Sequence, residues 1–133
     1  MTNKSKKISS EISAGELLDK MSILEIKMDK IKNNDSISEI NKEYRILKQV
    51  KDSQIEPSEK LEKLYIEIKK INSNLWSIED EIRSCEKRKD FSEKFIDLAR
   101  SVYFNNDKRS KIKSEINKLL SSNIKEIKQY ADY

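Results

Sequence analysis

The amino-acid sequence predicts an all-α protein: an antiparallel four-helix arrangement in which two long helices form a hairpin packed with two shorter ones. Three observations carry that expectation. The first is an unbroken stripe, Leu61, Leu64, Ile68, Ile71, Leu75, Ile78, Ile82 and Cys85, which steps by three and four residues over more than three heptads. The second is punctuation: the 133 residues include one Gly and one Pro, too few to turn the chain of a β architecture. The third is interleaving. Charged residues make up 39% of the chain and the hydrophobic set 35%, but the charges alternate with Leu, Ile and Met at helical spacing, which suits long exposed helices better than disorder.

The elements follow in order. Residues 1–12 are basic at their start and carry no helical stripe, so a flexible or extended segment is expected there. A first helix over about 14–32 opens on Ser13 and Glu16, the spacing of a capping box, and runs its apolar face through Leu17, Met21, Leu24, Met28 and Ile31. Asn33, Asn34 and Asp35 interrupt it. A second helix over about 36–53 restarts at Ser36, with Glu39 three residues on, and carries Ile37, Ile40, Tyr44 and Leu47. Pro57 suits the first turn of a third helix over about 58–88, roughly 45 Å long at the usual rise per residue. Asp90 with Glu93 caps a fourth helix over about 91–121, whose face shows Phe91, Phe95, Leu98 and Val102, then Ile112, Ile116, Leu119 and Leu120. Residues 122–133 form an amphipathic, weakly capped tail. Short connections make neighbouring helices antiparallel within one helical domain spanning 1–133. The two long helices outrun the two short ones, and the apolar surface left bare points to a homodimer or a higher homo-oligomer.

Composition removes several classes of function. There is no His, so histidine acid–base catalysis, histidine-ligated zinc and a histidine pH switch are all excluded. The single Cys85 allows no internal disulfide and suits a reducing compartment. The net charge of +4 comes from 28 basic and 24 acidic side chains mixed together, with no basic face of the kind that holds nucleic acid specifically. Nothing resembles a signal peptide and no stretch reaches the length of a membrane span, so the expected location is the cytoplasm.

Polar residues beside an apolar seam carry the functional information. On the third helix Asn72, Trp76, Glu79, Asp80 and Arg83 stack at steps of three and four next to the heptad stripe. On the fourth, Asn105, Asn106 and Arg109 stand where apolar residues are due, flanked by Arg100, Tyr103, Asp107 and Lys113. With the hairpin turn near 88–90, Asn72 falls opposite about Asn106 and Trp76 opposite about Tyr103. The two polar groups therefore share a height. Glu16, Asp19, Lys20 and Lys27, with Ile23, add a flank from the first helix. Such a gathering is either a satisfied structural network or a small-molecule site.

The same stretches carry a resemblance. Ser13–Lys27, Asn74–Arg83 and Leu98–Arg109, with 113–117, resemble three ordered blocks of an uncharacterised bacterial family, the domain of unknown function numbered 6165. The resemblance covers nearly the whole chain. It implies an all-helical protein found beside sugar-transferring and surface-polysaccharide enzymes, with no catalytic role to carry over.

The leading expectation is a non-catalytic binding or assembly protein, homo-oligomeric, needing no cofactor and serving a glycan-synthesis pathway. Its polar pocket would take a protein of that pathway or an anionic small molecule through Arg83, Arg100, Arg109 and Lys113, since the guanidinium fork matches phosphate or carboxylate. The alternative is a Mg²⁺-dependent nucleotide or sugar diphosphate hydrolase. Its metal would sit on Glu16 and Asp19, a Glu-x-x-Asp pair on one helix face, completed by Glu79 and Asp80. That spacing arises easily by chance in so charged a chain, and Lys20 and Arg83 would compete with the cation. A helical mutase is suggested by composition alone. Nonspecific nucleic-acid contact through the basic ends lacks aromatic support. The chain holds no complete catalytic motif, which weighs against an enzyme.

Overall fold

The computed structural model describes residues 5–133. Four helices are present, α1 (Ala14–Lys30), α2 (Asn34–Gln54), α3 (Glu59–Arg88) and α4 (Glu93–Leu119), with no strand among the described residues. The expected four-helix, all-α architecture is therefore what the chain adopts. Of the N-terminal segment expected to be flexible or extended, residues 1–4 lie outside the described residues. Residues 5–12 carry no regular structure and are exposed.

The helix starts differ from expectation in instructive ways. Ser13 does cap α1, its Oγ accepting from the Glu16 amide at 3.1 Å. Glu16 does not close the box, because its carboxylate is drawn to Lys113 at 2.7 Å. Helix α2 is capped by Asn33, whose side chain accepts from the Ser36 amide at 3.0 Å. The Asn-rich break thus supplies the cap, and Ser36 falls inside the first turn. Pro57 lies one residue before the cap Ser58, whose Oγ accepts from the Leu61 amide. Asp90 does not cap α4. Its carboxylate takes the Ser92 amide at 3.1 Å and shapes the connection, while Ser92 stands at the cap position without a side-chain bond. Phe91 is consequently outside the helix and 53% exposed.

Helices α3 and α4 form the expected hairpin. Its turn is closed by Lys89 in the left-handed region (φ 56°, ψ 33°), with the Asp90 amide returning to the Cys85 carbonyl at 2.9 Å. Helix α1 packs against all three others and α2 lies against α1. The order of contacts along α1 (Gly15 to Asn117, Glu16 to Lys113, Asp19 to Arg109) shows that it runs antiparallel to α4. Glu25 ties it to α3, accepting from Tyr65 Oη and from Lys69 Nζ at 3.1 Å. The shared core joins Leu17, Leu18 and Met21 of α1 to Leu61, Leu64 and Ile68 of α3 and Ile112 and Ile116 of α4. All of it sits at the end of the hairpin away from the turn.

Beyond Leu119 the chain reverses. Ser121 takes a left-handed conformation (φ 51°) and the Ser122 amide returns to the Asn117 carbonyl at 2.9 Å. The tail then runs back along α4 without helical structure, reaching Tyr103 and Asp107 through Tyr133.

Candidate functional site

The close approach of α1 to α4 depends on Gly15. A Cβ there would meet the Lys113 carbonyl oxygen at 2.6 Å and Asn117 Oδ1 at 3.0 Å. The two backbone amides that open α1 find partners on the other side of that contact: Gly15 N–H donates to Asn117 Oδ1 at 2.7 Å and Ala14 N–H to Ser122 Oγ at 3.0 Å.

One turn further on, Asp19 is fully buried. Its carboxylate accepts Arg109 Nε at 2.9 Å and Arg109 Nη2 on its other oxygen, a two-pronged pairing that suits the guanidinium fork. Asn72 Nδ2 donates to Asp19 Oδ1 at 2.9 Å and to Ser22 Oγ at 2.8 Å, and the Ser22 hydroxyl donates to the Asp19 carbonyl at 2.7 Å. The hydrogen bond to Asp19 raises the Arg109 pKa against the opposing effect of burial, so the cation is held firmly. Lys113 sits next in line, with Nζ 2.7 Å from Glu16 and 2.8 Å from Glu126 of the tail. Burial works against this ammonium, but the two carboxylates outweigh it and its pKa is raised. The Lys113 hydrogen bond in turn lowers the Glu126 pKa. Among the described residues no buried side-chain nitrogen or oxygen lacks a partner.

Above this network a groove of about 520 Å³ opens between the helices. Ile23, Ile26, Leu75 and the half-buried Trp76 make its apolar floor; Asn72, Glu79, Asp80, Arg83, Asn106 and Arg109 make its polar edge. Asn72 and Trp76 thus do share a height with Asn106 and Arg109. Arg83 is engaged by Glu79 at 2.7 Å, an exposed pair one turn apart.

The other sequence-selected residues lie elsewhere. Tyr103 and Asp107 are under the tail, where Tyr133 stacks edge-on against Tyr103 and Phe104 and donates its hydroxyl to Asp107. Arg100 lies over the Phe104 ring at 5.7 Å. Helical geometry separates them from the groove, since Tyr103 and Asp107 are roughly 120–160° around α4 from Arg109. Lys20 is exposed and Lys27 half-buried on α1, neither with a side-chain hydrogen bond among the described residues. Lys113 and Glu16 belong to the buried pairing, not to the groove. The proposed metal set is likewise divided: Glu16 and Asp19 hold Lys113 and Arg109, Glu79 holds Arg83, and no three acidic side chains converge among the described residues.

Sequence reasoning missed Ser22, Asn117, Glu126 and the role of Gly15. The last had a signal. The only glycine in the chain sits inside a helix, where it is costly unless backbones must approach. Ser22, three residues after Asp19, had a weaker one. Glu126 had none, because nothing local predicts that the tail folds back.

The family of unknown function DUF6165 matches residues 8–132, and the chain belongs to that family. No curated protein and no solved structure matches it. No helix among the described residues is long and apolar enough to cross a membrane.

Proposed function

We propose that this DUF6165 protein is a non-catalytic helical binding and assembly protein. It works as a homo-oligomer in the bacterial cytoplasm and serves cell-surface polysaccharide or sugar-transfer pathways. The observation that carries the reading is the groove around Trp76. The cations expected to bind an anion there are engaged inside the chain, with Arg109 on Asp19, Lys113 on Glu16 and Glu126, and Arg83 on Glu79. What stays open is an apolar floor with a half-buried indole, rimmed by Asp80, Asn106 and the exposed Glu79–Arg83 pair. Such a surface suits a partner offering both an apolar body and hydrogen-bonding groups, such as a peptide segment or a sugar moiety, better than a bare phosphate. A buried and reduced Cys85 accords with a cytoplasmic setting.

Trp76 is the only tryptophan, so its emission reports on the groove directly. The chain is titrated with sugar phosphates, nucleotide sugars and short amphipathic peptides while Trp76 emission and melting temperature are followed. The expected result is a ligand that shifts both, with the melting shift lost in Asp80→Ala and Trp76→Phe at unchanged basal stability. If no compound of the panel moves either signal, the groove is packing and the binding half of the proposal fails. Light scattering tests the assembly half, which a mass of one chain would refute.

A further inference from the structure

We propose that the cleft between α4 and the returning tail is a second binding site, separate from the Trp76 groove, and that it takes a phosphoryl anion. The cleft holds about 450 Å³. Ser110, Lys113, Ser114 and Asn117 line it from one face of α4, at steps that bring side chains together along a helix. Lys111 borders that face, and Lys128 closes the cleft from the tail.

Several donors in this lining are not used within the chain. Asn117 is only 4% exposed, and its Oδ1 is committed to the Gly15 amide at 2.7 Å, which fixes which way the side-chain amide points. Its Nδ2 has no acceptor among the described residues. No enclosed side-chain nitrogen there lacks a partner, so this donor is reached from the cleft that Asn117 lines. The Ser110 and Ser114 hydroxyls likewise bond to nothing among the described residues. Lys113 supplies the charge. Its side chain is 11% exposed, and its ammonium sits 2.7 Å from Glu16 and 2.8 Å from Glu126. Those two carboxylates are not equivalent. Glu16 is fixed on α1, whereas Glu126 is 56% exposed on a segment without helical structure. Glu126 therefore occupies the place of the anion, and its side chain swings into solvent when a ligand arrives. Lys111, Lys113 and Lys128 then face one remaining carboxylate of the lining, Asp107. A phosphoryl group suits this arrangement better than a carboxylate. It carries up to about twice the charge, enough to offset a competitor held in the same chain, and its three oxygens can accept from Lys113, Asn117 and the serines together.

The test is a calorimetric titration of the full chain with inorganic phosphate, glycerol 3-phosphate and acetate. Saturable binding of a phosphorylated compound is expected, with acetate weaker by about tenfold or more. Equal affinity for the two phosphorylated compounds would mark free phosphate as the ligand; preference for the ester would mark a phosphate monoester. Glu126→Gln removes the competitor and should tighten binding about tenfold. Ser110→Ala with Ser114→Ala should weaken it about tenfold at unchanged melting temperature, because neither hydroxyl is bonded within the chain. Asn117→Asp keeps an acceptor for the Gly15 amide, removes the donor and should abolish binding. The proposal is overturned if neither phosphorylated compound binds, if acetate binds as tightly, or if Glu126→Gln changes nothing. Should Asn117→Asp lose its helical signal, the serine pair decides, and an affinity it leaves unmoved overturns the assignment. Binding is expected to survive Trp76→Phe; its loss would place the anion in the other groove and sink this site while leaving that one standing.

Discussion

The two halves of the α3–α4 hairpin carry the same heptad pattern and end in different surroundings. At the base, α1 lies in the groove between them, and Ile68 and Ile116 reach 0% exposure. In the arm, Ile82 and Leu98 occupy the corresponding positions and stay half-buried. Cys85 alone is fully covered there. The pattern on one helix therefore specifies a sticky edge, not a core. A core appears where a third helix closes that edge, and α1 closes it with polar groups as well as apolar ones. Asp19, carried into the interior on α1, accounts for the polar break on α4, because Arg109 stands where a leucine would otherwise serve.

The base should accordingly be the half that breaks. Asp19→Ala strands the Arg109 guanidinium and removes an acceptor of Asn72, and removing one partner of a buried pair typically costs about 3–5 kcal/mol. Denaturant unfolding checks this; a loss under about 1 kcal/mol, the scale of an exposed pair, would mean that the network does not anchor α1. Gly15→Ala should cost somewhat less, about 1–3 kcal/mol, the range for overpacking a tight contact. Alanine favours a helix over glycine by about 1 kcal/mol, so a stability gain in the same measurement would show that α1 and α4 separate easily.

The smallest effect concerns the tail strapped across the base. Glu126 has a folded pKa below its unfolded value, so its contribution is present above pH 4.5 and is lost as pH falls through the lowered value. Lys113 has a raised pKa, so its contribution is present below pH 10.5 and is lost as pH rises through the raised value. Between those limits the tail should hold constantly. Because Glu126 is more than half exposed, screening keeps its share small, and 150 mM salt should weaken the strap further. The methyl resonances of Ile124 and Ile127 should move toward random-coil positions at acid and alkaline pH and stay fixed in between. Their shifting uniformly from pH 5 to 10 would remove the Glu126–Lys113 clamp from the picture.

Much of this was legible because it depends on spacing along one helix. The hairpin, the helix limits to within a few residues, and the shared height of Asn72 with Asn106 all follow from periodicity and from a turn near residue 89, whereas Trp76, expected opposite about Tyr103, lines the groove with Asn106 and Arg109 instead. The capping errors at Ser36 and Asp90 share one cause. Several short polar residues crowd each helix start, and which of them reaches an amide is decided by backbone angles that their identities leave open. Grouping Tyr103, Asp107 and Arg100 with Arg109 failed for a different reason. Nearness in sequence is not nearness in space, because a few residues carry a side chain to the far face of the helix.

By itself the sequence determined four amphipathic helices, a long hairpin, the exclusion of histidine chemistry and a set of polar residues too close to the seam to be incidental. Tertiary structure decided which of those residues face one another. Periodicity places a side chain on its own helix, but pairing depends on where two helices cross. Here that crossing depends on Gly15, whose missing Cβ lets α1 settle onto α4 until Asp19 meets Arg109 and Glu16 meets Lys113. Only then are those charges paired, with the groove around Trp76 opening beside them.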